Sequence, residues 1–306
     1  LGSKITYASI KEGKESANGQ LTLNEMIYDY KIKDIGKNTK IVGLIGNPIG
    51  HSWSHIVHNA GFDKLSINAL YLKFHVDRLK EFIDYFRDMD NVLGFSVTIP
   101  HKIEVMGHLD SIDEKAKTIG AVNTIAVNGK KLVGYNTDCD GAIKALKEKT
   151  SLNKNAVILG SGGAARAVAY GLKEEGAAVV ILNRTVEKAK IIAKDFQCDY
   201  GYLKDLKIID YDILINTTPV GMYPNANESP IPSELILKTS VVMDTVFNPF
   251  KTKFLKDAEK KGCVIIPGIE MFISQAALQF RLWTNKNAPE KLMRKKIMEN
   301  LKNAGN

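Results

Sequence analysis

The chain has 306 residues, of which 44% are hydrophobic and 25% are charged, and this ordinary globular usage excludes disordered and collagen-like chains. Its length corresponds to about two domains, and no run of about 18 apolar residues predicts a membrane span. The net charge of +8 favours small anionic partners, but the basic residues are dispersed, so neither nucleic acid nor a membrane is an expected partner.

Residues 1–38 form a polar leader without the apolar core of a signal peptide. Farther along, the three cysteines (Cys139, Cys198 and Cys263) are widely spaced and form no CxxC pair. An odd number of isolated cysteines argues against a disulfide framework and a zinc ribbon. We therefore expect a protein of the reducing cytoplasm.

The first half of the chain after the leader alternates strand-like and helical patterns. Apolar runs at 41–45, 70–76 and 92–98 are separated by helical stretches, which predicts βαβ units and a mainly parallel sheet. Runs at 122–127 and 131–135 flank Asn128-Gly129, a strong signal for a two-residue hairpin.

A second βα series follows from about residue 139. Its runs at 156–159, 178–182, 213–216, 241–244 and 264–266 are short and apolar, as expected of strands covered by helices on both faces. The residues from 268 onward are predicted to be helical, with Met293, Ile297 and Leu301 forming one apolar stripe. The predicted fold class is α/β with two domains, one of them Rossmann-like, and with C-terminal helices that return to the first domain.

A glycine-rich turn connects the 156–159 strand to an alanine-rich helix. Its residues (Gly160, Ser161, Gly162, Gly163 and Ala164, followed by Ala165) form a G-x-G-x-x-A pattern in the strand–turn–helix context. Glycines allow the backbone to approach a pyrophosphate, whose charge meets the free N–H groups of the helix start. The sequence therefore predicts a dinucleotide site.

The end of the next strand discriminates between cofactors. An NAD site usually has Asp or Glu there, but this chain has Asn183, Arg184 and Thr185, with Lys188 one turn later. A guanidinium suits a ribose 2′-phosphate, which a carboxylate would repel. We predict NADP(H) rather than NAD(H); the alternative is an exposed arginine at a helix start.

Polar groups in the first half follow the predicted strand ends. Ser52 and Ser54 could both donate to one carboxylate or could serve only as helix caps. Thr98 ends the 92–98 run and Lys102 lies four residues after it, and Asn123 and Asp138 come later in the chain. His51 and His55 lack a third ligand at zinc spacing, so no metal site is predicted.

The order of motifs resembles the shikimate dehydrogenase family over residues 40–285. The motifs are GNPIGHSWS, VTIPHK, GAVNT, NTD, GSGGAA, NRT, NTTPVGM and MFISQA. The resemblance implies NADPH-dependent reduction of 3-dehydroshikimate to shikimate, in the shikimate pathway of aromatic amino acid biosynthesis. It further implies that Ser52 and Ser54 hold the substrate carboxylate.

The resemblance assigns further roles by position. Lys102 and Asp138 would be the catalytic pair and would also contact substrate, and Thr98, Asn123 and Gln275 would bind its hydroxyl groups. The adenosine phosphate would meet Asn183, Arg184, Thr185 and Lys188. The segment 216–222 would line the nicotinamide side through Thr217, Gly221 and Met222. Residues after the following strands would complete this lining, namely Val246, Gly268 and Met271.

The catalytic pair makes chemical sense. Reducing a ketone requires hydride on carbon and a proton on the developing alkoxide, and an ammonium can stabilise that charge and donate the proton. A neighbouring carboxylate orients the ammonium and favours its charged form.

Three departures from the family pattern predict changed affinity rather than loss of the reaction. His55 replaces a proline, Ser96 replaces an asparagine, and Phe247 replaces a tyrosine. The intact Ser52 and Ser54 favour shikimate over quinate.

The leader resembles the tail of a type I 3-dehydroquinate dehydratase, carried by segments 2–9 and 16–21, with Asn18 at a position where proline is usual. Such an enzyme is an eight-stranded barrel whose Schiff-base lysine would lie upstream, so the chain itself is not predicted to be a dehydratase. The non-methionine start fits a fragment of a fused dehydratase–dehydrogenase. The alternative is an unrelated polar extension.

We expect a leader at 1–38, a substrate domain at 39–138 and 268–306, and an NADP domain at 139–267, in a monomer or homodimer. Two alternatives stay open: a quinate/shikimate dehydrogenase with relaxed substrate or cofactor choice, and a non-catalytic regulator that binds nucleotide or shikimate.

Overall fold

The structure is a computed structural model that describes residues 7–11, 13, 14, 16, 20–50, 52–238 and 240–303. Within these residues there are two six-stranded sheets with helices packed on them. One sheet is mostly parallel and the other is entirely parallel, so the predicted α/β class is confirmed. No helix in the described part of the chain is both long enough and apolar enough to cross a membrane.

The first sheet contains the strands of the first half of the chain. They are β1 Lys40–Gly46, β2 Ala69–His75, β3 Val92–Val97, β4 Ser111–Ile112, β5 Thr124–Asn128 and β6 Lys131–Tyr135. Their order is β2-β1-β3-β5-β6-β4, with β1, β2 and β3 mutually parallel and β5 antiparallel to both neighbours. The predicted β5–β6 hairpin is confirmed, but its turn is Gly129-Lys130, because Asn128 is paired with Lys131 at the end of β5.

The second sheet is the Rossmann-like one. Its strands are β7 Asn155–Leu159, β8 Ala178–Leu182, β9 Asp199–Gly201, β10 Ile213–Asn216, β11 Val241–Asp244 and β12 Val264–Ile266. They lie in the order β12-β11-β10-β7-β8-β9, all parallel. Chain order reverses between β7 and β10, and ligands bind outside the carboxyl ends of strands at such a switch point.

Nine α-helices cover the sheets in the described residues. They are α1 Ser54–Lys64, α2 Leu79–Arg87, α3 Glu114–Ile119, α4 Thr137–Lys147, α5 Gly163–Glu174, α6 Val186–Phe196, α7 Lys253–Lys260, α8 Gly268–Thr284 and α9 Glu290–Asn303. The predicted stripe on α9 is confirmed, because Met293, Ile297 and Leu301 are buried in the core beside α1.

Helices α4 and α8 connect the two sheets. They cross so closely that a methyl group placed on Gly141 would lie 2.9 Å from the carbonyl oxygen of Met271. Helix α4 also packs against α5, which follows the glycine-rich turn of the second sheet. The start of α4 therefore lies where both sheets can contribute side chains to one site.

The strand predictions agree with the structure except for two short strands. β4 and β9 have two and three residues, too few to display a period. The predicted run at 122–127 begins two residues later, at Thr124. In the leader, segments 2–6 and 17–19, including Asn18, lie outside the described residues; Glu25–Asp29 and Ile32–Asp34 form short helical turns.

Candidate active site

Lys102 and Asp138 form an ion pair between the two halves of the first sheet. Lys102 lies in the turn after β3, and Asp138 lies in the first turn of α4. The Lys102 Nζ donates to Asp138 Oδ2 at 2.5 Å, and the two side chains are only 17% and 8% exposed. The structure thus brings together the two side chains that the sequence proposes as a pair.

Asn123 holds the other oxygen of the Asp138 carboxylate. Its Nδ2 donates to Asp138 Oδ1 at 2.8 Å, and its Oδ1 accepts from the Thr137 amide at 2.8 Å and from the Thr124 hydroxyl at 2.7 Å. The carboxylate therefore has a fixed orientation, with one oxygen on the amide and the other on the ammonium.

Gln275 approaches the same group from α8. Its Oε1 lies 3.5 Å from Asn123 Nδ2 and 3.4 Å from Thr137 Oγ1, and its Nε2 donates to the Phe272 carbonyl at 3.1 Å. The half-buried amide therefore borders the catalytic pair. Asn123 and Gln275 lie far apart in sequence, so the fold alone brings them together.

The two candidate carboxylate-binding serines lie at the start of α1. Ser52 Oγ donates to Ser54 Oγ at 3.1 Å, and Ser54 is buried. The N-cap residue of α1 is Trp53, which makes no side-chain cap, and the Ser52 hydroxyl accepts from the Ser54 amide at 3.4 Å, so a role of Ser52 at the helix start stays open beside carboxylate binding. His51, beside Ser52, is outside the described residues.

Thr98 follows β3 beside the end of the neighbouring strand β1. Its amide donates to the Ile45 carbonyl at 3.0 Å, and its methyl group lies against Gly46. Because β1 and β3 are parallel, their carboxyl ends share one edge of the sheet. This edge carries Thr98 and Lys102 on one loop and leads into Ser52 and Ser54 on the other.

Three buried side chains extend the network under this edge, and of these only Ser96 was singled out from the sequence. Tyr71 donates to Ser96 Oγ at 2.8 Å, Ser96 donates to Gln279 Oε1 at 3.0 Å, and Gln279 Nε2 donates to the Thr124 hydroxyl at 2.9 Å. The chain of hydrogen bonds links β2 to β5, the strand that begins directly after Asn123. Gln279 lies one turn after Gln275 on α8, and that spacing was its only sequence signal.

The glycine-rich turn adopts a conformation that requires glycine at its first position. Gly160 has φ +113°, and a methyl group there would lie 2.6 Å from Thr217 Oγ1. Thr217 in turn donates its hydroxyl to the Leu159 carbonyl at 2.7 Å. The turn after β7 therefore fits closely against the loop after β10, at the switch point of the sheet.

The start of α5 is open to a ligand. Gly162 is its N-cap, and no side chain caps the helix among the described residues. Gly162 is exposed, and Ser161, Gly163 and Ala164 are partly exposed. Free amides at an accessible helix start are a suitable pyrophosphate site.

The stem of Lys102 packs on this turn. A methyl group placed on Gly163 would lie 3.0 Å from Lys102 Cδ and 3.3 Å from its Cβ. The amine that is paired with Asp138 therefore extends from a stem in contact with the candidate nucleotide site. The absence of a side chain at position 163 permits this approach.

The residues predicted to bind the 2′-phosphate lie in the turn after β8 and in the first turn of α6. Arg184, Thr185 and Lys188 are exposed, and in the described part of the chain neither Arg184 nor Lys188 forms an ion pair. Asn183 Nδ2 donates to the Thr185 carbonyl at 2.9 Å and so fixes the turn. Both cations are available to a phosphate.

Asp244, at the end of β11, joins the loops expected to line the nicotinamide. Its Oδ1 accepts from Asn216 Nδ2 at 3.0 Å and from the Val246 amide at 2.9 Å, and its Oδ2 accepts from the Thr252 hydroxyl at 2.6 Å. Burial raises the pKa of the Asp244 carboxyl to about 7, although these hydrogen bonds favour its charged form. Sequence reasoning did not identify this residue.

The remaining candidate cofactor residues lie around the same loops. Gly221 and Met222 lie in the loop after β10, and the Val246 carbonyl oxygen packs against Gly268 at the start of α8. Met271 is buried one turn into that helix. These five residues and Thr217 all follow the carboxyl ends of β10, β11 and β12.

The three departures from the family pattern occupy distinct environments. Phe247 packs on Phe272 with ring centroids 4.5 Å apart and the rings inclined by 31°, and it makes an edge contact with Trp53 at 6.0 Å. Ser96 belongs to the buried hydrogen-bond network, and His55 is buried at the start of α1. Because Trp53 separates the two serines in sequence, Phe247 connects the serine loop to the second sheet.

No group of three His, Cys, Asp or Glu side chains in the described residues could hold a metal ion. An ammonium 2.5 Å from a buried carboxylate can donate a proton to an oxygen that develops negative charge.

Family models match three parts of the chain. Residues 44–125 match the shikimate dehydrogenase substrate binding domain, residues 143–223 match shikimate/quinate 5-dehydrogenase, and residues 268–298 match the shikimate 5′-dehydrogenase C-terminal domain.

Curated relatives of this chain are also named as shikimate dehydrogenases. The chain is 46% identical over 276 residues to a shikimate dehydrogenase (NADP(+)) of Methanococcus maripaludis strain C6, covering 86% of this chain and 98% of that protein. It is 39% identical to the chloroplastic bifunctional 3-dehydroquinate dehydratase/shikimate dehydrogenase of Arabidopsis thaliana, covering 95% of this chain and 52% of that protein.

A solved structure has the same overall fold. A crystal structure of a shikimate dehydrogenase in complex with NADP+ superposes with a TM-score of 0.82 at 42% sequence identity, covering 87% of this chain and 97% of that one.

Proposed function

The chain belongs to the shikimate dehydrogenase family, and from that membership we propose that it catalyses the reversible NADPH-dependent reduction of 3-dehydroshikimate to shikimate. This reaction is one step of the shikimate pathway of aromatic amino acid biosynthesis. The single observation that carries the proposal is the Lys102–Asp138 pair, held by Asn123 and in contact with the glycine-rich turn through Gly163.

The residues of the chain would control the proton while bound NADPH supplies hydride to the carbonyl carbon. Lys102 Nζ would donate a hydrogen bond to the ketone oxygen, stabilise the developing alkoxide and give it a proton. Asp138 would keep that ammonium oriented, and Asn123 would keep Asp138 oriented. In the reverse direction the neutral amine would accept the hydroxyl proton.

Substrate would be fixed at two ends. The Ser52 and Ser54 hydroxyls would donate to its carboxylate, and Thr98, Asn123 and Gln275 would bind its hydroxyl groups. The 3.1 Å separation of the two serine oxygens supports this role, because one carboxylate can accept from two donors so placed.

NADP would bind across the carboxyl edge of the second sheet. Its pyrophosphate would meet the amides of the turn 160–164, and its 2′-phosphate would meet Arg184 and Lys188, with Asn183 and Thr185 shaping that turn. The nicotinamide would lie along Thr217, Gly221 and Met222 on one loop and along Val246, Gly268 and Met271 on the next.

We further propose that the chain is divided at 138/139 and 267/268 into a substrate domain and an NADP domain, with residues 1–38 as a leader. The first division lies in the opening turn of α4, and the second lies where α8 begins. Closure around a cleft at these points would bring nicotinamide and ketone together.

An assay of shikimate with NADP+ and NAD+ in parallel tests substrate and cofactor at once. We expect absorbance at the reduced-nicotinamide band to rise with shikimate and NADP+, and far more slowly with NAD+. Equal rates with quinate would instead favour a quinate/shikimate dehydrogenase. Binding of both ligands without any absorbance change would indicate a regulator and overturn the proposal.

Replacing Arg184 by alanine should weaken the binding of NADP+ and leave the binding of NAD+ unchanged. A hydrogen bond to a charged group contributes about 1.5–3 kcal/mol, so KM for NADP+ should rise about 10- to 100-fold while KM for NAD+ stays unchanged. Lys190→Ala removes an exposed charge on α6, the helix that follows Arg184, and is the matched control. An equal rise in KM for NADP+ and for NAD+ would show that Arg184 does not recognise the 2′-phosphate.

We infer that the leader corresponds to the end of a 3-dehydroquinate dehydratase, in a fused or paired arrangement with that activity. Support comes from the leader motifs and from the bifunctional plant relative, whose alignment covers 95% of this chain. Reading the coding sequence upstream of Leu1 tests this inference. An open frame encoding a βα barrel with a Schiff-base lysine is expected, and a stop codon there would contradict fusion.

A further inference from the structure

Residues 20–35, which we name the docking segment, pack on the substrate half of the molecule. Met26 and Tyr30 are 7% and 4% exposed. Lys31 forms an ion pair with Asp63 of α1, and Asn59 Nδ2 of the same helix donates to the Asp29 carbonyl at 3.3 Å. The segment is therefore attached along one side of α1, the helix whose start carries Ser54.

Tyr30 stacks on His55, the residue that immediately follows Ser54. The ring centroids are 5.7 Å apart and the rings are inclined by only 12°. His55 is 6% exposed, and its Nδ1 has no partner among the described residues. Burial, and then the charge of Lys73, lower the pKa of His55 to about 3, so the ring is neutral and stacks as an aromatic group.

His55 is connected to both candidate carboxylate-binding serines. It is bonded covalently to Ser54, whose hydroxyl accepts from the Ser52 hydroxyl at 3.1 Å. A proline at position 55, the residue of the family pattern, has no aromatic ring and could not make the stack. The histidine that departs from the pattern is therefore the surface on which Tyr30 stacks.

The charges around the stack also connect the docking segment to the sheet. Lys73 of β2 interacts electrostatically with His55 and with the acidic side chains Glu25 and Asp29 of the docking segment. Burial lowers the pKa of Lys73, and the two carboxylates act in the opposite direction. The contact is thus apolar at the rings and attractive between charges around them.

We propose that the docking segment is part of the substrate site: Tyr30 is a positioning residue that, by stacking on His55, fixes Ser52 and Ser54 for the substrate carboxylate. This inference rests on the proposed function. It concerns affinity for the acid and leaves proton transfer by Lys102 unaffected.

The test compares KM and kcat in Tyr30→Ala, Tyr30→Phe and Tyr28→Ala. Tyr28 is 73% exposed in the same short helical turn and is the matched control. An aromatic pair contributes about 0.5–1.5 kcal/mol beyond its buried area. We therefore expect Tyr30→Ala to raise KM for shikimate about 3- to 10-fold with kcat and KM for NADP+ changed less than about twofold.

Tyr30→Phe keeps the ring and should restore wild-type KM, and Tyr28→Ala should match wild type. In a His55→Pro background, Tyr30→Ala should have no further effect on KM for shikimate, because the stacking partner is gone. Should Tyr30→Ala fail to fold, Lys31→Ala, which removes only the surface ion pair with Asp63, should still raise KM for shikimate about twofold.

The outcomes separate this inference from the proposed function. A wild-type protein that oxidises no shikimate contradicts the function, and calorimetric titration of shikimate then tests positioning by itself through the same variants. Wild-type activity with an unchanged KM in both Tyr30→Ala and Lys31→Ala overturns the inference alone. A fall in kcat of Tyr30→Ala, accompanied by equal changes in KM for shikimate and for NADP+, would also overturn the inference.

Discussion

Lys102→Ala is expected to lower kcat for shikimate oxidation by a factor of about 10² to 10⁴, the usual contribution of one acid–base group. The variant loses the only amine that the structure places 2.5 Å from Asp138 in the described residues. It keeps the serines, Gln275 and the nucleotide turn, so KM for both substrates should change much less than kcat. Steady-state rates at saturating substrate measure the effect.

Two companion variants separate chemistry from stability. Lys115→Ala removes an exposed ion pair to Asp140, a residue of the same helix as Asp138, at 2.8 Å, and should leave kcat unchanged. Lys102→Ala leaves a buried carboxylate without its cation, which lowers stability. Adding Asp138→Asn should restore stability without restoring turnover. Wild-type kcat in Lys102→Ala would exclude this lysine from the mechanism.

Asp244→Ala is expected to reduce the free energy of unfolding by about 2–6 kcal/mol, because two of its three donors lose a buried acceptor at about 1–3 kcal/mol each. These two groups are the Val246 amide and the Thr252 hydroxyl, at 2.9 and 2.6 Å from the carboxyl oxygens. The third donor, Asn216 Nδ2, keeps the Val220 carbonyl at 3.3 Å. KM for NADP+ should rise as well, since the loops after β10 and β11 lose their common anchor. Urea unfolding and steady-state kinetics measure the two effects.

The control is Asp212→Ala. This exposed carboxylate accepts one backbone amide, from Asn155 at 3.1 Å, at the opposite end of the same sheet. Its loss should reduce stability by about 0.5–1.5 kcal/mol and leave KM for NADP+ unchanged. Equal effects of the two substitutions would show that the burial of Asp244 has no special consequence.

The raised pKa of Asp244 predicts a pH dependence of stability. From the ordinary value of 3.8 up to about 7, the unfolded chain releases this proton while the folded protein retains it. Stability contributed by the neutral acid is therefore lost as pH rises through this window. Asp244→Asn has no proton to release at this position. As pH rises through the window, the difference in free energy of unfolding between Asp244→Asn and wild type should therefore shift in favour of the variant by up to roughly 4 kcal/mol. A difference independent of pH would contradict burial as the cause.

Features encoded by local patterns could be predicted from the sequence. The turn at Gly160 lies between a β-branched strand and an alanine-rich helix, and the β5–β6 hairpin is set by backbone conformation at adjacent positions. The partnership of Lys102 and Asp138 was also predicted, but through the order of motifs that resembles a family. Composition and spacing alone left that lysine ambiguous.

Contacts between distant residues could not be predicted. The hydrogen-bond chain through Tyr71, Ser96 and Gln279 joins a strand, a second strand and a late helix, and no period in the sequence reports such a pairing. The same holds for Asp244, whose three donors come from the end of β10 and from the loop after β11. Tyr30 was assigned to a leader outside the family pattern, so its stack on His55 had no sequence signal.

The contact of the Lys102 stem with Gly163 limits how relatives of this protein could exchange parts. A chimera that received a foreign nucleotide-binding half would present a different surface to the lysine, and the amine would shift relative to its ketone. Cofactor preference is therefore easier to change at the distant adenosine end, around Arg184, than by rebuilding the turn itself. Recombination between homologues should tolerate crossovers only where the lysine loop and the glycine turn are inherited together.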